Sequence, residues 1–175
     1  MTMEYAFTLK FHLSQADCDT DALVERLAEA GCDDALVGTG LPGRVALAFV
    51  REAESARAAM VSALADARRA MPSATLIEAA PDLVGLTDIA EMVGVSRQNM
   101  RKLMLGYPDS FPVPVHEGSS SLWHLLDVIV WLGQRGYDIE PELLEIAATA
   151  MQVNLAKCAS QVAPAMAREF RSLVA

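Results

Sequence analysis

The residues best suited to recognition chemistry lie in a short polar stretch in the second half of the chain, which reads Ser-Arg-Gln-Asn-Met-Arg-Lys from residue 96 to residue 102. An Arg side chain can donate two hydrogen bonds to guanine, and Gln and Asn can each form a pair of hydrogen bonds with adenine. A serine hydroxyl and the free amides at a helix start can take a phosphate. The predicted DNA-contacting residues of this stretch are Ser96, Arg97, Gln98, Asn99, Arg101 and Lys102.

Two short helices are needed to present these side chains. Thr87 can cap a first helix whose apolar residues recur at helical spacing, and Gly94 permits a tight turn after it. Ser96 can then cap a second helix with Met100 facing inward. This pattern is typical of a helix-turn-helix, in which the second helix offers its N-terminal outer face to a major groove. The alternative is an ordinary helical hairpin whose cations form a solvated face.

The overall charge restricts what this patch can do. The chain has 175 residues, 53% of them hydrophobic, and 14 Lys and Arg against 23 Asp and Glu give a net charge of −9. That composition excludes a disordered chain and a nonspecific polycation, so contact with DNA must come from a local basic patch. Residues 1–82 hold seven basic and thirteen acidic side chains, whereas residues 83–135 have a charge of only −1.

A family resemblance extends over residues 84–135. The runs Leu-Thr-Asp-Ile-Ala from residue 86 and Gly-Val-Ser from residue 94 are similar to the opening and the turn of MerR-type and AlpA or excisionase-type winged helix-turn-helix regulators. Residues 111–123, with Gly118 at the tip, resemble the wing, and the helix after it resembles the one that packs under the wing, with Trp123 and Trp131 as core anchors. The resemblance implies a DNA-binding regulator of transcription.

The predicted wing departs from the family in its chemistry. Wings of this family usually carry Arg or Lys, whereas this one offers His116, Ser119 and Ser120 as phosphate contacts. Hydroxyl groups bind phosphate but release no counterions, so affinity should depend on the second helix. We therefore expect one copy alone to bind double-stranded DNA weakly. The alternative, which this cation-poor wing favours, is a protein-interaction subunit, antitoxin-like or a complex adaptor, whose winged helix binds protein instead of DNA.

The first eighty residues follow a different pattern. Residues 5–13 alternate apolar and polar side chains, as a half-buried strand does, and the following segments predict the order β-α-β-β-α-β. Such an order favours a ferredoxin-like sheet with both helices on one face. We expect the opposite face, with Thr8, Lys10 and His12, to bind a small-molecule effector or a protein partner by analogy with other modules of this fold. The predicted fold class is thus α+β, with a ferredoxin-like domain at 1–80, a winged helix-turn-helix at 83–136 and a C-terminal helical segment at 140–175.

The C-terminal segment contains an apolar seam. Its members recur at steps of three and four residues, which predicts either packing onto the chain's own core or self-association into a homodimer. A twofold dimer would double the phosphate contacts and match an inverted repeat in DNA. The predicted dimerisation residues are Leu144, Ala148, Met151, Leu155, Cys158 and Val162.

Other site classes have little support in the sequence. Residues 38–43 are rich in glycine but lack the Gly-Lys-Ser/Thr ending of a phosphate loop, and no nucleophile, base and orienting group occur together. His12, His116 and His124 lack metal-ligand spacing, so we expect no enzyme activity, metal or cofactor. The cysteines contain no Cys-x-x-Cys motif and are interpreted as reduced core thiols. Since no apolar run approaches the roughly 20 residues of a membrane helix, the expected location is the cytoplasm.

Overall fold

The N-terminal half is built on a four-stranded sheet. The computed structural model describes residues 1–174, and the chain is α+β as predicted. The first elements are β1 (Met3–His12), α1 (Thr20–Glu29), β2 (Ala35–Gly38), β3 (Arg44–Ala53), α2 (Ala56–Ala70) and β4 (Thr75–Ala80). The strands lie in the order β2-β3-β1-β4, and every neighbouring pair is antiparallel.

Alternation along the central strand separates the two faces of this sheet. Tyr5, Phe7, Leu9 and Phe11 of β1 are all buried, as the spacing of two predicts. They pack with the apolar sides of α1 and α2 in one core. The side chains between them lie on the other face, where no described helix covers them.

The second half is mainly helical. Its elements are β5 (Leu83–Val84), α3 (Leu86–Val93), α4 (Arg97–Gly106), β6 (Trp123–His124), α5 (Leu125–Gly133), α6 (Pro141–Ala159) and α7 (Pro164–Val174). β5 pairs with β6, so the residues just before α3 hold the segment just before α5. Trp123 and Trp131 are buried in the core of this half, as predicted.

Helix α6 packs on both cores, but with a different stripe from the predicted seam. Its buried residues are Ile146, Ala147, Ala150 and Asn154, which join the sheet core, the helical core or the polar contacts between them. The seam lies beside this stripe. Leu144, Ala148 and Met151 are half-buried, whereas Leu155, Cys158 and Val162 are exposed. The sequence alone could not show which of the two stripes of α6 is buried, because the residues of both recur at helical spacing.

A buried polar cluster joins the two halves. The Asp82 side chain is fully buried, and its carboxylate oxygens lie 2.6 Å from His124 Nδ1 and 2.7 Å from Asn154 Nδ2. The Asn154 side chain also forms two hydrogen bonds, each 2.8 Å long, with the backbone of Ala79. The cluster therefore fixes the end of β4, the start of α5 and the middle of α6 relative to one another.

The prediction that all the cysteines are core thiols was wrong for two of them. Cys32 is buried, and burial raises the pKa of its thiol to about 11. Cys18 and Cys158 are exposed, because the first follows a short 3-10 turn and the second lies on the solvent side of α6.

Two features are absent from residues 1–174. No helix there combines the length and the apolar character needed to cross a bilayer. Within the same residues, no cluster of three or more His, Cys, Asp or Glu side chains could hold a metal ion.

Candidate nucleic-acid interface

The turn between α3 and α4 sets the direction of the second helix. Gly94 ends α3 with a positive φ of 71°, a conformation that glycine adopts without steric cost. The next amide, of Val95, donates a hydrogen bond of 2.9 Å to the Ala90 carbonyl oxygen. The Val95 side chain is half-buried against the helical core, so the turn is held from both sides.

At the start of each helix of this pair, a polar side chain accepts a hydrogen bond from a backbone amide. Ser96 caps α4 as predicted, because its Oγ accepts a hydrogen bond of 3.1 Å from the Asn99 amide. The cap predicted at Thr87 was wrong. The helix begins two residues earlier than that cap implies, with Gly85 as its N-cap, and the Asp88 carboxylate accepts a hydrogen bond from the Gly85 amide. Thr87 already lies inside the first turn.

The outer face of α4 is cationic and open to solvent. Met100 is fully buried, which turns the opposite side of the helix outward. Ser96, Arg97, Gln98, Arg101 and Lys102 are exposed, whereas Asn99 is half-buried on the flank. In the part of the chain that the structure describes, the side chains of Arg97, Arg101 and Lys102 form no ion pair or hydrogen bond. Their donors are therefore free for an external partner.

A cleft of about 720 Å³ lies beside this face. Arg97 and Arg101 line one side, the start of α3 lines another, and Ser119 and Ser120 line the third. The carboxylate-bearing residues Asp88 and Glu117 also line it, so the cleft carries both signs of charge. The structure thus brings two of the predicted α4 residues and two of the predicted wing residues to one concave surface, and the other predicted residues lie outside its lining.

The segment predicted as a wing is a closed loop with little strand structure. A single bridge joins His116 to Leu122, with the Leu122 amide donating to the His116 carbonyl oxygen at 3.0 Å. Pro112 and Pro114 have no backbone N–H to donate, which prevents a longer ladder. At the tip, a side chain on Gly118 would lie 2.6 Å from His116 Nε2. The His116 ring therefore occupies the space above this glycine.

Aromatic packing fixes the base of this loop. Trp123 Nε1 donates a hydrogen bond of 2.9 Å to the Pro112 carbonyl oxygen, and Phe111 packs edge-on against both tryptophans. The loop exposes apolar side chains as well as serines, since Val113 is 83% exposed and Val115 is 52% exposed.

Sequence reasoning missed one cation near α4. The Arg135 guanidinium lies 3.6 Å from the centre of the Trp131 ring and 4.9 Å from that of Tyr107. Its Nη2 also donates a hydrogen bond to Ser110 Oγ at 2.9 Å. Tyr107 and Ser110 belong to one segment far from Arg135 in the chain, whereas Trp131 lies four residues before it, so only the Trp131 contact could have been indicated by a local pattern.

Comparisons with family models, with curated proteins and with solved structures return no match for this chain. The functional interpretation therefore depends on the residues and geometry of α4, the cleft and the loop.

Proposed function

We propose that the protein is a sequence-specific regulator of transcription that binds double-stranded DNA as a homodimer. The observation that carries this proposal is the outer face of α4, where free cations and the amide side chain of Gln98 are exposed beside a cleft. Direct readout of bases needs such donors and acceptors on a protruding helix. We assign the α3–α4 pair and the following loop to the helix-turn-helix and the wing of the MerR-type and AlpA-type resemblance.

The contacts divide by role. Arg97, Gln98 and Arg101 are the candidates for reading base edges, since they lie on the exposed side of the first turns of α4. Lys102, His116, Ser119 and Ser120 are assigned to phosphates, which position the protein on the duplex without reading sequence. Asn99 is half-buried, so its contribution is expected to be smaller.

The N-terminal unit is proposed to regulate this activity. Its strand order and its helices on one face support a ferredoxin-like module. Its acidic surface would repel DNA, so it is assigned to a partner or an effector in the cytoplasm.

Selection of bound fragments from genomic DNA at two salt concentrations tests the proposal. On a selected fragment, Arg97→Ala or Gln98→Ala should each weaken binding by roughly 1–3 kcal/mol and change the preferred bases, whereas Lys102→Ala should mainly reduce the salt dependence. Unchanged affinity in all three variants would reject α4 as the recognition helix.

The second candidate function is that of a protein-interaction subunit. It is favoured by the exposed Val113 and Val115 in the loop and by the acidic residues Asp88 and Glu117 in the cleft. Under this alternative, no genomic fragment would bind in a salt-dependent way, and a stoichiometric protein would co-purify. Loss of that protein with Val113→Asp would assign the loop as its contact surface.

A further inference from the structure

The uncovered face of the N-terminal sheet is apolar in the middle and charged at both ends. We name it the open face, and it consists of the outward side chains of β1 to β4. Its central apolar residues are Ala6, Leu36, Ala46, Ala48, Val50 and Ala80. Leu36, on the edge strand β2, is 78% exposed, and Val50, on the central strand β3, is 55% exposed, so two large apolar side chains lie open to solvent on this face.

One end of the open face is acidic. Glu4 of β1 and Glu52 of β3 are direct cross-strand partners, and both are exposed. Like charges opposite each other destabilise a sheet unless an outside cation compensates them. Among the ion pairs of residues 1–174, neither carboxylate has a cationic partner, although the Thr2 hydroxyl donates to Glu52.

The other end of the open face is basic. His12 and Arg44 are direct cross-strand partners there, and Arg44 forms none of the ion pairs found in the described chain. The nearby Lys10 is already paired with Glu78 at 2.6 Å. The open face therefore has opposite charges at its two ends on both central strands.

The register places the two charged ends symmetrically. Ala48 lies midway between Arg44 and Glu52 on β3, and its cross-strand partner Thr8 lies midway between Glu4 and His12 on β1. A twofold axis just outside the face, parallel to the line that joins this central pair and perpendicular to the strands, would bring Glu52 of one copy over Arg44 of the other. The same rotation would bring Glu4 over His12.

We propose that the open face packs against the open face of a second copy about this axis. A second copy is favoured over an unrelated partner because the acidic and basic ends match each other under a single rotation. In the isologous interface of a twofold dimer, each such contact occurs twice. The apolar centre would form the middle of a two-layer sheet packing.

The shape of the basic end fits this arrangement. A hollow of about 440 Å³ lies there, between the β2–β3 turn and β4, and its lining includes Arg44, Leu41 and Gly38. Leu41 stands at its rim and is 64% exposed. The hollow gives the acidic end of the second copy room to approach Arg44.

The size of the face indicates a modest affinity. Four strands about 4.8 Å apart, with about 3.3 Å per residue, present on the order of 500 Å² per copy. A pair would then bury about 1,000 Å², near the lower limit for a specific interface. We therefore expect a dimer whose Kd is micromolar and increases as the salt concentration is raised.

Charge exchange across the axis provides the test. Sedimentation of the whole chain without DNA, over a concentration series, should show that Glu52→Arg or Arg44→Glu alone raises the dimer Kd about tenfold or more. The double variant should restore the wild-type value, because each new Arg would face a new Glu. The matched control is Arg68→Glu, an exposed change on α2 that should leave Kd unchanged.

Other outcomes would overturn the proposal. A wild-type chain that stays monomeric at high micromolar concentration would do so, as would a double variant no better than the single ones. The competing surface is the exposed apolar stripe at the end of α6 and on α7. The interface would be assigned there if Leu155→Glu or Phe170→Glu abolished the dimer while the two sheet variants did not. Since DNA is absent from the measurement, failure of the proposed function leaves this result unaffected.

Discussion

At the scale of single residues, Asp82 illustrates how a protein interior can accommodate a buried carboxylate. It lies between the two cores, and its oxygens contact His124 and Asn154. A charged group in such a site is tolerated only when it is paired and hydrogen-bonded, since removal from water is costly. Because its partners lie 42 and 72 residues away in the chain, the cluster was not predictable from local sequence.

The first prediction concerns this carboxylate. Asp82→Ala would leave the polar groups of His124 and Asn154 buried without their partner, and we expect a loss of about 3 kcal/mol in the free energy of unfolding. Urea denaturation followed by circular dichroism measures it. Asp109→Ala is the control, because Asp109 is exposed and should change stability by less than about 0.5 kcal/mol. Equal stability of both variants would show that the cluster does not hold the halves together.

At the scale of elements, the predictable features were those with local periodicity or a local stop signal. Alternation at residues 5–13 predicted β1, and Gly94 and Ser96 predicted the turn between α3 and α4. The exposed cations of α4 also followed from the sequence, because Met100 sets which side is buried. In contrast, β5 and β6 have two residues each and exist through their pairing with each other, which no local pattern reports.

The turn provides the prediction at this scale. In Gly94→Ala the new methyl group would meet no atom within 4 Å, so the cost arises only from the positive φ and should be about 1 kcal/mol. Both tryptophans lie in the same core as α3, so their fluorescence during urea unfolding reports on this unit. Gly106→Ala is the matched control, since that glycine is also uncrowded but has no positive φ, and its replacement should be neutral or slightly stabilising. Equal losses in the two variants would contradict the conformational explanation.

At the scale of the whole molecule, charge is distributed unevenly. The net charge is −9, yet the outer face of α4 collects Arg97, Arg101 and Lys102 within six residues. The negative charge of the rest of the molecule limits nonspecific attraction to DNA, because only an approach with α4 facing the duplex is electrostatically favourable. In the proposed complex with DNA, few cations per copy would release few counterions, so a second copy would be important for affinity.

The salt dependence of the proposed DNA binding would therefore count the copies that bind. Each neutralised phosphate contributes a slope of about −0.9 to a plot of log K against log salt concentration, so Lys102, the cation assigned to a phosphate, should contribute about −1 if one copy binds and about −2 if two copies bind. Lys102→Gln should reduce the magnitude of the slope by about 1 if one copy binds and by about 2 if two copies bind. Arg68→Gln, which removes an exposed cation from α2 in the N-terminal half, is the control and should not change the slope. If Lys102→Gln reduced the magnitude of the slope by about 2 and the control did not change it, two α4 helices would lie on the duplex. An equal effect of both changes would instead indicate a diffuse electrostatic attraction.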